Sequence, residues 1–111
     1  MSIARLNDYE EILTVINQYL EGGNISGEEA KKAFHPNATV NAEPAQVLFD
    51  VIDEAAPGKS VARADILDVV EDIACARIVM EICNGKNYID FLHLLKTDDG
   101  WKIVSKVYTE F

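Results

Sequence analysis

Apolar side chains recur along the first 55 residues at helical spacing. Asn7-Asp-Tyr-Glu10 reads as a capping box, and Tyr9, Ile12, Leu13, Ile16, Tyr19 and Leu20 follow on one side until Gly22-Gly23 stops the run. Ser26-Gly-Glu-Glu29 repeats the capping pattern, and Ala30, Ala33 and Phe34 supply the apolar edge of a short second helix that His35-Pro36 terminates. Thr39-Val-Asn is at best a short strand. Pro44 then opens a third helix with Val47, Leu48, Val51, Ile52 and Ala55 on one side, and Pro57-Gly58 ends it.

From Val61 the period changes to that of strands. Val61–Val70, Ile73–Cys83, Lys86–Thr97 and Trp101–Tyr108 are rich in β-branched and aromatic residues and are separated by Glu71-Asp72, Asn84-Gly85 and Asp98-Asp99-Gly100. Short connections imply four successive antiparallel strands. Helices first and a meander afterwards predict an α+β domain, three helices packed on one face of a strongly curved, mainly antiparallel sheet. In Tyr88–Lys96 both alternating sets are largely apolar, so the second sheet face also needs cover. A homodimer through that face is the economical expectation, because C2 dimers are the commonest oligomers.

The register of the last hairpin decides which polar side chains meet. A three-residue Asp98-Asp99-Gly100 loop with Gly100 left-handed sets Thr97 opposite Trp101, Leu92 opposite Lys106 and Asp90 opposite Tyr108. Asp90, Lys106, Tyr88 and Tyr108 then share a face with Leu92, Leu94 and Val104. His93 and Ser105 face the other way beside Phe91, Leu95, Ile103 and Val107. A four-residue loop would instead put Lys106 opposite Phe91 and separate it from Asp90.

Length and composition narrow the choices. At 111 residues, 49% hydrophobic and 26% charged, the chain (1–111) has room for one domain with a real core and no second one. A net charge of −9, from 10 basic and 19 acidic residues, argues against nucleic acid, whose binding relies on Lys and Arg neutralising phosphates. Arg5, Asp8, Glu10 and Glu11 interrupt the apolar residues of the first 20, so neither a signal peptide nor a membrane span is expected, and the cytoplasm is the default location. Cys75 and Cys83, about 26 Å apart along one strand, cannot bond to each other and read as reduced thiols.

The candidate chemistry lies in a few polar residues within apolar surroundings. Asp90 and Lys106 either form a buried ion pair of purely structural meaning or, with two phenols, orient a small apolar ligand in a pocket. Tyr19 and Tyr9 sit toward the apolar side of the first helix, where a buried phenol needs a partner. His93 reads as a core or interface residue, whereas His35 is balanced between structural and functional roles. No phosphate-binding glycine loop, His-x-x-x-His pair or Gly-x-Ser-x-Gly turn is present, so any chemistry is acid–base work by Asp90, His35 or a tyrosine, with no cofactor and no metal.

Three blocks are similar to the nuclear-transport-factor-2-like (NTF2-like) superfamily, and more narrowly to its putative lumazine-binding and SnoaL-like branch. They are Tyr19-Leu-Glu-Gly22 with Ala33-Phe-His-Pro-Asn-Ala38, Ile73-Ala-Cys-Ala-Arg77, and Tyr88–Lys96 with Gly100–Tyr108. The resemblance implies a cone-shaped domain with a pocket between the helices and the concave sheet face, and a dimer through the outer face. It places His35, Asp90 and Lys106 at motif positions with Tyr19 nearby. Ala38–Pro44 leaves almost no room for the hairpin or loop that precedes the third helix in relatives, which implies a smaller or more open pocket. No acid stands after the second helix, where ketosteroid-isomerase-like members keep a general base; Asn37 and Asn41 occupy that region.

The expected ligand-binding set is therefore Tyr19, His35, Tyr88, Asp90, Lys106 and Tyr108, with Asp90 and His35 the catalytic candidates. Three functions fit: a binder of a small apolar or aromatic molecule, a cofactor-free lyase or isomerase, and a protein-interaction module using the sheet face.

Overall fold

The computed structural model describes residues 6–82 and 85–111. Three helices, α1 (Leu6–Gly22), α2 (Gly27–Lys31) and α3 (Gln46–Ala55), pack on a six-stranded sheet. The strands are β1 (Phe34–Val40), β2 (Glu43–Pro44), β3 (Ser60–Val70), β4 (Ile73–Ile82), β5 (Asn87–Thr97) and β6 (Gly100–Glu110). Their order is β2-β1-β6-β5-β4-β3, antiparallel except where β1 runs parallel to β6. The α+β architecture and the four-strand meander agree with the pattern of the sequence. Cys83 and Asn84 lie outside the described residues, and with them the proposed separation of the two thiols.

Helix α1 buries Asp8, Ile12, Ile16 and Tyr19, one residue per turn. Ile12 and Ile16 are fully buried, each contributing roughly 1.5–3 kcal/mol relative to an exposed side chain. The expected apolar stripe is thus shifted: Tyr9 and Leu13 are exposed and Asp8 is inside. The helix is already under way at Leu6, so Asn7 lies in its first turn and is not its cap.

The Ser26 hydroxyl caps α2, accepting from the Glu29 amide at 3.1 Å. That helix stops at Lys31, and Phe34-His-Pro belongs to β1, not to a helix end. The reason is tertiary, since Ile103 donates to the Ala33 carbonyl at 2.9 Å and draws the segment onto the edge of β6. Helix α3 begins after Pro44, which sits in β2. Phe49 is its buried residue, and Val47 and Val51 are exposed.

The seemingly missing hairpin is present in a minimal form. Val40 pairs with Glu43 across a turn of two residues, Asn41 and Ala42, both at positive φ (48° and 68°). A two-residue turn with left-handed conformation at both positions matches the twist of its strands, and Asn adopts that conformation readily.

The final hairpin combines both registers considered from the sequence. Next to the turn Thr97 pairs with Gly100, whose φ is 97°, and Lys96 with Trp101. The pairing shifts between His93 and Leu94, and beyond the shift Leu92 faces Lys106 and Asp90 faces Tyr108, as expected. The loop assignment of Thr97 to Trp101 is corrected, while the site register stands. An extra residue on β6 at Val104 reconciles the two, because a β-bulge lets one strand advance by a residue. Ile103 consequently joins Trp101 in the core, on the face where Val104 was expected.

One apolar core links the helices to the inner sheet face, and a second bulge, between Ile66 and Asp68 on β3, adds to the bending of the sheet. On the outer face Phe91, Val107 and Ile73 are exposed. Among the described residues no helix is long and apolar enough to cross a membrane.

Candidate functional site

A cavity of about 200 Å³ opens between the C-terminal end of α1, the inner side of α3 and strands β4 to β6. Its walls are chiefly apolar, from Leu20, Leu48, Ile52, Met80 and Ile82. Tyr19, Asp90 and Lys106 form its buried polar end. Helical spacing places Tyr19 about two turns after Ile12 on the same buried side, while strand alternation places Asp90 on the face of β5 that buries Leu92 and Leu94.

These three side chains form a closed triangle of polar contacts. The Lys106 ammonium donates to the Tyr19 hydroxyl, and that hydroxyl donates to Asp90 Oδ2 at 3.1 Å. Lys106 Nζ lies 3.6 Å from the same oxygen and 4.7 Å from the centroid of the Tyr108 ring. Tyr88 meets Tyr108 edge to face, with centroids 5.9 Å apart. The phenol accepts from a cation and donates to a carboxylate, so it bridges the other two groups.

Burial pulls both charged partners toward neutrality. It raises the Asp90 carboxyl above its ordinary value, against the opposing charge of Lys106 and the hydrogen bond from Tyr19. It lowers the Lys106 amine, against the charge of Asp90. Tyr19 is raised well above the usual phenol value, first by burial and then by the Asp90 charge, so it remains a proton donor. A carboxyl raised and an amine lowered lie closer in proton affinity than the free groups, and the hydroxyl joins them.

Five of the six expected ligand residues, Tyr19, Tyr88, Asp90, Lys106 and Tyr108, line the cavity. His35 does not line it, so the set does not converge on one cavity as expected. The histidine is half-buried on β1 and lines a separate groove with Lys31, Lys32 and Lys102, and its Nδ1 accepts from the Asn37 amide at 3.0 Å. As part of β1 and not of a helix end, it stands apart from the residues that line the cavity. His93 and Ser105 are paired on the outer face, as the register implied. Among the described residues no group of three His, Cys, Asp or Glu side chains could hold a metal ion.

Asn41 has a part in the site that its sequence position did not reveal. Its side chain accepts from the Tyr108 amide at 2.9 Å and donates to the Tyr108 carbonyl at 3.3 Å, while its own amide donates to the Lys106 carbonyl at 2.9 Å. The β1–β2 turn thereby holds the β6 segment that carries two site residues. The Asn24 side chain, which accepts from the Ser60 hydroxyl at 3.0 Å, similarly ties the end of α1 to the start of β3 at the cavity rim.

This cone, with its cavity between helices and sheet, can be set beside known proteins. The sequence profile of the family described as "Putative lumazine-binding" matches residues 7–109. The chain belongs to that family. Its fold is that of the NTF2-like proteins. An NTF2-like protein of unknown function from Methylobacillus flagellatus KT superposes with a TM-score of 0.90 at 30% identity, covering 100% of this chain and 98% of that one. Another from Shewanella baltica OS155 gives 0.84 at 32% identity, with 99% and 98% coverage. Among curated proteins, Aldolase FrzH from Cladobotryum sp. is 25% identical over 95% of this chain and 93% of its own length. Membership of the putative lumazine-binding family is consistent with small-molecule binding, and the cavity shows where such a ligand has room.

Proposed function

We propose that this protein binds a small, mainly apolar molecule carrying an oxygen function, with its carbon skeleton against Leu48, Ile52 and Met80 and its oxygen at Tyr19, Asp90 and Lys106. The observation that carries the reading is an apolar cavity ending on a buried, mutually hydrogen-bonded polar cluster. At about 200 Å³ the space suits a molecule below the usual drug size. A fragment screen by protein NMR tests it. Aromatic alcohols, aldehydes and acids should shift the amides of Leu20, Ile52, Met80 and Asp90, and Asp90→Ala should abolish those shifts while the fold persists. Unchanged binding in a folded Asp90→Ala protein overturns the assignment.

A second reading, a cofactor-free lyase or isomerase, is favoured by the proton relay and by the name of the aldolase relative. In it Asp90 is the general base and Tyr19 or Lys106 stabilises a developing oxyanion. Exchange of the α-hydrogens of a bound ketone with deuterated water, lost in Asp90→Asn, is its expected signature. The exposed Phe91, Val107 and Ile73 support a homodimer through the outer sheet face. Light scattering should give twice the chain mass, and Phe91→Glu should halve it. The cytoplasm is the compartment we expect, and cell fractionation checks it.

A further inference from the structure

A lysine that lines a cavity, is itself buried, and hydrogen-bonds to a neutral phenol has a use beyond charge pairing. Lys106 Nζ donates to Tyr19, which donates to Asp90, so one concerted shift moves a proton from the ammonium to the carboxylate without any group changing place. The result is a free amine beside a carboxylic acid. Burial favours that neutral pair, in the direction that both groups already titrate. Lys96, paired with the buried Asp8, keeps 45% of its side chain exposed and does not line this cavity.

Resting on the binding reading above, we propose that Lys106 captures carbonyl compounds: an aldehyde or ketone held in the cavity condenses reversibly with Nζ, with Tyr19 and Asp90 shuttling the protons. The amine lone pair attacks the carbonyl carbon, so a C–N bond forms while the C=O π pair moves to oxygen. That oxygen takes a proton relayed from the Asp90 carboxyl through Tyr19, and the nitrogen returns one to the Asp90 carboxylate, giving a carbinolamine. The Asp90 carboxyl then protonates the hydroxyl, the C–O bond breaks, water departs, and the nitrogen pair completes the C=N bond. The product is a protonated imine with the Asp90 carboxylate as counter-ion, and no oxidant or reductant is consumed. The charge pattern of the resting ion pair is restored, which is why one cluster can hold both states. Asp90, freed as a carboxylate, is then placed to take a proton from the carbon next to the imine, the step that would prepare carbon–carbon bond formation or cleavage.

Trapping tests the proposal on the full chain. Incubation with 3-phenylpropanal and cyanoborohydride, followed by peptide mass mapping, should label Lys106 several-fold faster than any other lysine, since the cavity holds the aldehyde against its amine and burial favours the free base. Lys106→Arg and Lys106→Met should lose that label and keep the slow surface labelling, and Tyr19→Phe should slow it. Parallel NMR titration with 3-phenylpropan-1-ol, which cannot form an imine, reports the cavity alone. If the alcohol shifts the cavity amides but Lys106 is labelled no faster than the surface lysines, carbonyl capture is overturned and the binding reading stands. If neither probe acts at the cavity, both fail. The wild-type map is decisive even if a variant does not fold.

Discussion

Asp8 and Asp90 are both buried carboxylates that meet a lysine from the β5–β6 hairpin, yet they do different things. Asp8, in the first turn of α1, accepts from Lys96 Nζ at 2.9 Å and from the Trp101 indole at 3.3 Å through one oxygen. Its site faces packed core on one side and, through the half-exposed Lys96, solvent on the other. Lys106, the partner of Asp90, has only 6% of its side chain exposed, and its charge is met by a phenol and a cavity. A lysine that reaches water keeps its charge at little cost; one that cannot shares its proton with its neighbours. The first arrangement fastens α1 to the hairpin, and the second holds the amine that the proposal above makes reactive.

The largest test separates the two by removing a single cation. Lys106→Met strands the Asp90 charge and should cost about 3–5 kcal/mol at pH 8 and less at acidic pH, where Asp90 takes up a proton. Replacing the whole cluster, as Tyr19→Phe/Asp90→Leu/Lys106→Met, should leave stability unchanged or raise it by about 1–4 kcal/mol while ligand binding is lost. Urea melts of both proteins give the answer, and a triple variant less stable than wild type would make the cluster structural. Asp8→Ala should cost about 1–3 kcal/mol by leaving the buried Trp101 donor unpaired, with ligand affinity per folded molecule unchanged. A drop in affinity would show that the two ends of α1 are coupled.

A pH series sharpens the contrast further. The folded Asp90 carboxyl titrates above 3.8, so wild-type stability should fall as pH climbs from 3.8 through its raised folded value. The folded Lys106 amine titrates below 10.5, so stability should recover as pH climbs from that lowered value to 10.5. The triple variant should lack this trough, and a trough that persists would assign it to other groups. The smallest effect is expected at Lys96→Ala, about 1 kcal/mol or less because the exposed ammonium is screened by water.

Particular residues show what was readable in advance. The capping serine at position 26, the four strands and the pairing of Asp90 with Tyr108 are local patterns, and each is found where the sequence places it. His35 illustrates the opposite case. A Phe-His-Pro segment after a helix reads as its end, but pairing with β6 converts it to a strand and removes the histidine from the cavity. Asn41 gave no signal at all, because its role is to hold the backbone of Tyr108, 67 residues away. The burial of Asp8 in place of Tyr9 likewise depends on Trp101 and Lys96 being waiting for it.

By itself the sequence determined the element types, the α+β class and the residues of the polar cluster, since periodicity, caps and turn residues act over a few positions. Only the tertiary structure decided that the cluster forms. Strict alternation along Trp101–Tyr108 from the observed turn would put Lys106 opposite Phe91, on the outer face, once Trp101 and Ile103 are in the core. The bulge at Val104 lets β6 bury Trp101 and Ile103 and still turn Lys106 inward to Tyr19 and Asp90. The bulge thereby lets Trp101 meet Asp8 and Lys106 meet Tyr19, both on α1, contacts between residues 93 and 87 positions apart that no stretch of local sequence specifies.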